Sequence, residues 1–244
     1  MKGPLFYSKI LLFGEYGIIK DSKGLSIPYN FFKGALKWDN NPSEMARKSN
    51  QSLKGFADYL KNLEKQEDGL VAFDLQAMDS DIANGMYFDS SIPQGYGIGS
   101  SGALVAAIYD RYAKDKITVL ENLTREKLLT LKQIFGKMES FFHGKSSGLD
   151  PLNSYLSLPI LINSQDNIES TSIPSQNTNG KGAVFLLDSG ITGETAPMVQ
   201  IFMENMKQEG FRNMIKNQFI KHTDACVEDF LNGNVKSLFG NLKQ

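Results

Sequence analysis

The chain has 244 residues, 41% of them hydrophobic and 22% charged, with 26 basic side chains against 27 acidic ones for a net charge of -1. That composition excludes a disordered chain, offers no basic excess for nucleic acid or an acidic membrane, and leaves enough length for two packed units or one large one. Cys226 is the single cysteine, which excludes an intrachain disulfide and suits a small core side chain in a reducing compartment.

Residues 5–13 have the length and the aromatic and β-branched content of a strand, and Gly14 and Gly17 then bracket a turn holding Glu15 and Tyr16. A second strand-like piece follows at Ile18 and Ile19. Lys9, Gly14 and Glu15 interrupt the apolar stretch, so no signal-peptide core or membrane span survives, and a cytoplasmic protein is expected. Between Pro42 and Leu63, the apolar residues Met45, Leu53, Phe56, Ala57 and Leu60 fit one helical face. Residues 70–75 and 86–88 read as strands leading to a glycine-rich loop, and residues 103–112 continue from it as a helix.

From Thr124, a capping-box-like Thr-Arg-Glu-Lys opens a long helix with Leu128, Leu131, Ile134, Phe135, Met138, Phe141 and Phe142 as its stripe, ending at His143-Gly144. At about 100° per residue, Glu139 falls at the flank of that stripe, where a carboxylate is partly desolvated yet still reaches a cleft. Residues 154–163 and 182–188 read as further strands, separated by a polar run over 164–181 taken as a loop and domain boundary. Helical patterns follow, with Pro197 near a first turn and apolar residues at Met198, Ile201, Phe202, Phe211, Met214, Ile215, Phe219 and Cys226. His222 reads as a helix-face residue without a chemical role.

The loop over residues 93–104, Pro-Gln-Gly-Tyr-Gly-Ile-Gly-Ser-Ser-Gly-Ala-Leu, is the strongest candidate for chemistry. Gly95, Gly97 and Gly99 permit positive φ and close approach to a ligand, and a helix starting near Ser100 aims free N–H groups and a positive dipole end at an anion. Taken alone, the same residues also describe a glycine-rich connector with serine caps. Lys9 alone also fits a surface lysine at a strand end, and Asp150 a turn residue before Pro151.

The ordered set of motifs resembles the GHMP small-molecule kinases. Lys9-Ile-Leu-Leu-Phe-Gly-Glu15-Tyr16 is similar to that family's Lys-x-Ile-Leu-x-Gly-Glu, and Pro93 through Gly102 to its Pro-x-x-x-Gly-Leu-Gly-Ser-Ser-Ala. Glu139-Ser-Phe-Phe-His-Gly-Lys-Ser-Ser-Gly-Leu-Asp150 resembles the mevalonate kinase branch, whose pattern is Glu-x-x-x-His-Gly-x-x-Ser-Gly-x-Asp. Residues 186–195 resemble the strand and turn before the family's C-terminal helices, so the likeness covers nearly the whole chain.

The resemblance implies an α+β, two-domain GHMP kinase fold: a left-hand-crossover N-terminal domain like ribosomal protein S5 domain 2 over 1–170, and an incomplete ferredoxin-like domain over 171–244. It implies ATP-dependent phosphorylation of a small-molecule hydroxyl, with mevalonate, an isoprenoid precursor, as the leading acceptor and phosphomevalonate, a sugar or homoserine as alternatives. ATP and Mg²⁺ are the implied cofactors. Gly95, Gly97, Ile98, Gly99, Ser100, Ser101 and Gly102 would hold the phosphates, Ser101 and Glu139 the metal, and Glu15, Tyr16 and Thr195 the acceptor. Asp150 would take or orient the acceptor proton and Lys9 would favour the ionised acceptor. His143 is expected to cap its helix and support the loop carrying Asp150. Dimers are common among such relatives, so a homodimer is carried forward as an expectation.

The sequence departs from the pattern at Tyr7-Ser8, where many relatives have proline-glycine, at Tyr16, where mevalonate kinases usually have histidine, and at Gly102, where alanine is usual. No glycine cluster follows Gly182, although the family has a further glycine-rich motif near its C-terminus. A fragment or shortened member with weak nucleotide binding and poor turnover is therefore expected. Two rival readings stand beside this one. Gly97 to Gly102 formally fits Gly-x-Gly-x-x-Gly of a dinucleotide-binding module, with Glu121 after a strand-like 117–120, but Asp89 to Gln94 intervene between strand and loop. A non-catalytic relative that binds a metabolite or partner is the other.

Overall fold

The computed structural model describes residues 3–66, 71–120, 122–174, 186–193 and 195–244. The chain forms two compact units. The first takes in the chain up to Ile10, Pro28–Pro93 and Ile98–Ser157; the second takes in Leu11–Ile27, Gln94–Gly97 and Leu158–Gln244.

In the first unit, the chain enters on β1 (Phe6–Phe13) and crosses β2 (Gly24–Trp38), both of which continue into the second unit. The C-terminal half of β2 pairs antiparallel with β3 (Met86–Ser90), Gly34 opposite Ser90 and Trp38 opposite Met86. Helix α1 (Glu44–Gln66) buries Leu53, Phe56, Ala57 and Leu60 on one face as its sequence predicts, whereas Met45, expected on that face, is 78% exposed in the first turn. α2 (Leu75–Ala83) starts where the Asp74 carboxylate accepts the N–H of Ala77 at 3.0 Å. α3 (Ser100–Tyr112) is rich in Ala and β-branched residues, and Ala103 and Val105 through Tyr109 are all buried, the signature of a central helix.

α4 (Arg125–His143) begins at the predicted cap, with Thr124 Oγ1 accepting the Lys127 N–H at 3.3 Å, and ends at Gly144. It packs Phe135 against Tyr109 and against Tyr155 of α5 (Leu149–Leu156), with ring centroids 5.0 and 5.5 Å apart. Each such fully buried large side chain contributes about 1.5–3 kcal/mol, so this aromatic junction fixes α3, α4 and α5 against one another. Those three helices carry most of the candidate site.

In the second unit, Gly24 to Ser26 of β2 pair antiparallel with Ile162 to Ile160 of β4 (Ile160–Ser164), and β4 turns back into β5 (Asn167–Ser170). Helices α6 (Thr195–Asn205), α7 (Glu209–Met214), α8 (Lys221–Leu231) and α9 (Val235–Asn241) follow, with a wider π turn over Ile215–Ile220. The backbone N–H of Lys23 donates to Asp224 Oδ1 at 2.7 Å, and its ammonium group also meets Glu228. His222 Nδ1 lies 3.0 Å from Asn241 Oδ1, joining α8 to α9, and Cys226 is buried as expected.

Several expected elements differ. Residues 18–19 form a tight 3-10 turn, Gly17–Lys20, instead of a strand, because Tyr16 and Asp21 on either side take positive φ and cannot extend. Residues 71–74 make only an isolated bridge, Phe73 to Ala113, since Asp74 caps α2 immediately afterwards. The strand expected over 154–163 is the end of α5, a left-handed Ser157, and then β4. Part of the expected 164–181 loop is β5. Residues 186–188 form no strand, and 182–185 lie outside the described residues.

Candidate functional site

The glycine loop has the expected backbone: Gly95, Gly97 and Gly99 take φ of 80, 67 and 84°. Gly99 is the N-cap of α3 and no side chain caps that end, so its first-turn N–H groups and the helix dipole are presented to a ligand. Ser100 and Ser101 occupy that first turn. Ile98 is half-buried, and its carbonyl accepts the backbone N–H of Lys9 at 3.0 Å, which ties the loop to β1.

Lys9 is 8% exposed and reaches Asp150 Oδ1 at 3.0 Å, so a buried strand lysine pairs with a half-buried carboxylate. Asp150 stands in the first turn of α5, whose start is set by Gly148 at φ 75°. A side chain at Gly148 would come 2.0 Å from the Lys132 carbonyl, so only glycine lets the chain turn against α4 here. Ser154 Oγ donates to the Tyr7 carbonyl at 2.6 Å and fastens α5 beside β1. Gly102 has a related purpose: a Cβ there would lie 2.8 Å from Asp150 C and from Pro151 N. The residue that departs from the usual alanine thus lets α3 approach the backbone of Asp150.

Glu139 is more buried than its helical position predicts, at 3% exposure. Ser101 Oγ donates to Glu139 Oε1 at 2.9 Å and lies 2.9 Å from His143 Nε2; Ser146 Oγ donates to Glu139 Oε2. Burial, and then the negative charge of Asp150, push the Glu139 carboxyl up to about 7, against the opposing effects of the two serine hydroxyls and Lys9. His143 ends α4 as expected, but its ring is directed to the Ser101 hydroxyl, one helical turn along from Glu139 on the same face. Sequence reasoning missed both this contact and Ser146; the only signal for Ser146 was a second hydroxyl beside the motif serine, Ser147.

The remaining predicted residues belong to the second unit. Glu15 is exposed, Tyr16 stacks on Phe202 with centroids 5.5 Å apart, and Thr195 opens α6. Gly95 accepts the Gly193 N–H at 2.9 Å, and a Cβ on it would come 2.9 Å from Thr192 Cβ. Gly97 has open space around it.

Among the described residues, no group of three or more His, Cys, Asp or Glu side chains is placed to hold a metal. One buried carboxylate with an adjoining hydroxyl is instead a partial set of hard oxygen donors. That fits Mg²⁺, which keeps waters and takes phosphate oxygens in preference to an all-protein cage. An uncapped helix end behind a glycine loop likewise fits a polyphosphate.

Fold and site together define an α+β protein with a glycine loop at the start of a helix and a Lys–Asp ion pair beside it. Residues 54–157 match the family described as GHMP kinases N terminal domain, a span that includes the glycine loop, Glu139 and Asp150. Over 99% of its length the chain superposes on 75% of the crystal structure of L. major mevalonate kinase in complex with R-mevalonate, with a TM-score of 0.54 and 17% identity. It also superposes, over 95% of its length, on 73% of the Methanococcus jannaschii mevalonate kinase, with a TM-score of 0.51 and 14% identity. No protein of curated function matches the sequence. The chain therefore shares the fold of these two mevalonate kinases, and its similarity to the GHMP kinase N-terminal domain extends over residues 54–157. The dinucleotide-binding alternative fails on the fold. The register of β2 with β3 and with β4 is antiparallel, no strand follows α3 at residues 117–120, and Glu121 lies outside the described residues. No described helix is long and apolar enough to cross a membrane.

Proposed function

We propose that this chain catalyses ATP-dependent phosphorylation of a small-molecule hydroxyl, with mevalonate the leading acceptor and phosphomevalonate the product. The observation that carries the reading is the pairing of buried Lys9 with Asp150 beside the uncapped start of α3, with Glu139 and Ser101 in the same unit. Phosphoryl transfer asks a protein for positioning and for charge stabilisation far more than for covalent chemistry, and these residues supply both.

In this reading the N–H groups of residues 97–102 hold the triphosphate, and Ser101 and Glu139 hold Mg²⁺, which when bound neutralises charge on the phosphate oxygens. Asp150 accepts the acceptor's hydroxyl proton as that oxygen bonds to the γ-phosphorus and the bond from the same phosphorus to the bridging oxygen breaks, releasing ADP. Lys9 orients Asp150 through their ion pair, and its ammonium group stabilises negative charge on the attacking oxygen. Glu15, Tyr16 and Thr195 are proposed acceptor contacts. The assignment of 1–170 and 171–244 to nucleotide-binding and C-terminal kinase domains, a homodimer and a cytoplasmic location complete the proposal.

A coupled ADP-release assay with mevalonate, phosphomevalonate, a hexose and homoserine tests it. Mevalonate should give the highest kcat/KM, and Asp150→Asn should lower kcat by about 10²–10⁴-fold, the usual contribution of a positioned base. Full activity in Asp150→Asn overturns the assigned base, and no ADP release with any of these acceptors overturns the kinase reading.

A further inference from the structure

We infer that Ser146 is a positioning residue that joins the metal-binding carboxylate to the helix bearing the base. The inference rests on the kinase reading, since it assigns a purpose to Ser146 through Glu139 and Asp150. Glu139 has a hydroxyl on each oxygen, Ser101 at Oε1 and Ser146 at Oε2. Ser146 Oγ also accepts the backbone N–H of Gly148 at 3.0 Å, and Gly148 is the left-handed residue from which α5 starts, two positions before Asp150. A serine hydroxyl has one proton and two lone pairs. With a lone pair occupied by the Gly148 N–H, its proton is directed to Glu139, and the two bonds polarise each other in the same sense.

The surrounding backbone holds this relay in place. Gly136 of α4 lies under the Ser146 carbonyl, where a Cβ would be 3.0 Å away, and Gly148 lies against the Lys132 carbonyl. The segment is thus seated on two turns of α4, the helix that carries Glu139. Ser147, the serine that the family pattern specifies, is exposed and its hydroxyl accepts only a long 3.4 Å contact from the Leu149 N–H. The pattern leaves position 146 unspecified, so the residue on the carboxylate is one that the motif does not mark. Alanine at 146 would remove both bonds and free one carboxylate oxygen to rotate, whereas threonine keeps the hydroxyl.

The test is the Mg²⁺ dependence of binding of a non-hydrolysable ATP analogue, followed by calorimetry on the full chain, with thermal unfolding in parallel. Partners that orient a metal ligand typically account for 10–100-fold in metal affinity. Ser146→Ala should therefore raise the Mg²⁺ midpoint about 10-fold, leave analogue affinity without Mg²⁺ unchanged, and be rescued by Ser146→Thr. An unchanged midpoint in Ser146→Ala, or equal losses with and without Mg²⁺, overturns the inference. Should Ser146→Ala fail to fold, Ser146→Cys, a weak donor, should give an intermediate midpoint, and a wild-type midpoint there overturns it as well. Absence of Mg²⁺-dependent analogue binding in the unsubstituted chain overturns the kinase reading and this inference together.

Discussion

The two units differ in where ionisable side chains are buried. In the first, two of them are drawn inward: Lys9 and Glu139 are buried, Lys9 paired with Asp150 and Glu139 held by Ser101 and Ser146. In the second, charged contacts such as Lys23 with Glu228 are partly exposed, and large apolar side chains including Leu187, Ile191 and Phe239 are outside. A buried polar network is costly to break because each orphaned group loses water as well as its partner, whereas an exposed side chain exchanges one solvated surface for another. Substitutions in the first unit should therefore act strongly on stability and chemistry, and those on the outer helices weakly. Each prediction below tests that contrast.

The largest effect is expected at Gly148, where backbone conformation and space act together. Alanine there must hold φ 75° and also fit against the Lys132 carbonyl at 2.0 Å, so strain and overpacking add. Gly148→Ala should lose about 4 kcal/mol in urea unfolding. A loss below about 1 kcal/mol, the size expected for strain without a clash, would show that α5 shifts freely on α4 and would weaken the contrast between the units.

Glu139→Gln tests whether the burial of charge is itself destabilising. The folded state holds the carboxyl proton up to about 7 against an ordinary value of 4.5, so the native chain binds a proton that the unfolded chain has released. Stability from this group is fully present below pH 4.5 and is lost as pH rises to about 7. The loss is roughly 3 kcal/mol. Wild-type Tm should fall between pH 5 and pH 8 more than that of Glu139→Gln, whose amide has no proton to release. Equal pH profiles would mean that Glu139 is solvated in the folded chain.

What was legible in the sequence follows the same division between local and non-local causes. The glycine loop, the Thr124 cap and the long stripe of α4 depend on residues a few positions apart, and all three stand as expected. β2 was not anticipated because Gly24, Pro28 and Gly34 break its pattern, and its two halves are stabilised by different partners, β4 and β3. The end of α5 has the sequence of a strand because a short apolar run fits either period, and what decides it is the packing of Tyr155 on Tyr109 and Phe135. The ordered motifs mark Lys9, Glu139 and Asp150 as candidates, but the depth at which Glu139 is buried and the contacts of Ser146 depend on where α4 and the 146–148 segment meet. No spacing rule contains that information.

The smallest expected effect sharpens the comparison from the other side. Phe239 on α9 is 58% exposed, so Phe239→Ser removes apolar surface that is already mostly in contact with water. Stability should change by no more than about 0.5 kcal/mol, the usual range for surface positions outside special features. Helix propensity hardly differs between Phe and Ser, so the backbone gives no separate reason for a loss. A cost of about 2 kcal/mol instead would equal that of a buried aromatic. Read by urea unfolding over a range of protein concentrations, a cost that grew with concentration would mean that this face is covered by another copy of the chain. A cost independent of concentration would mean that the outer helices belong to a continuous core, and the contrast between the two units would then fail on its weaker side.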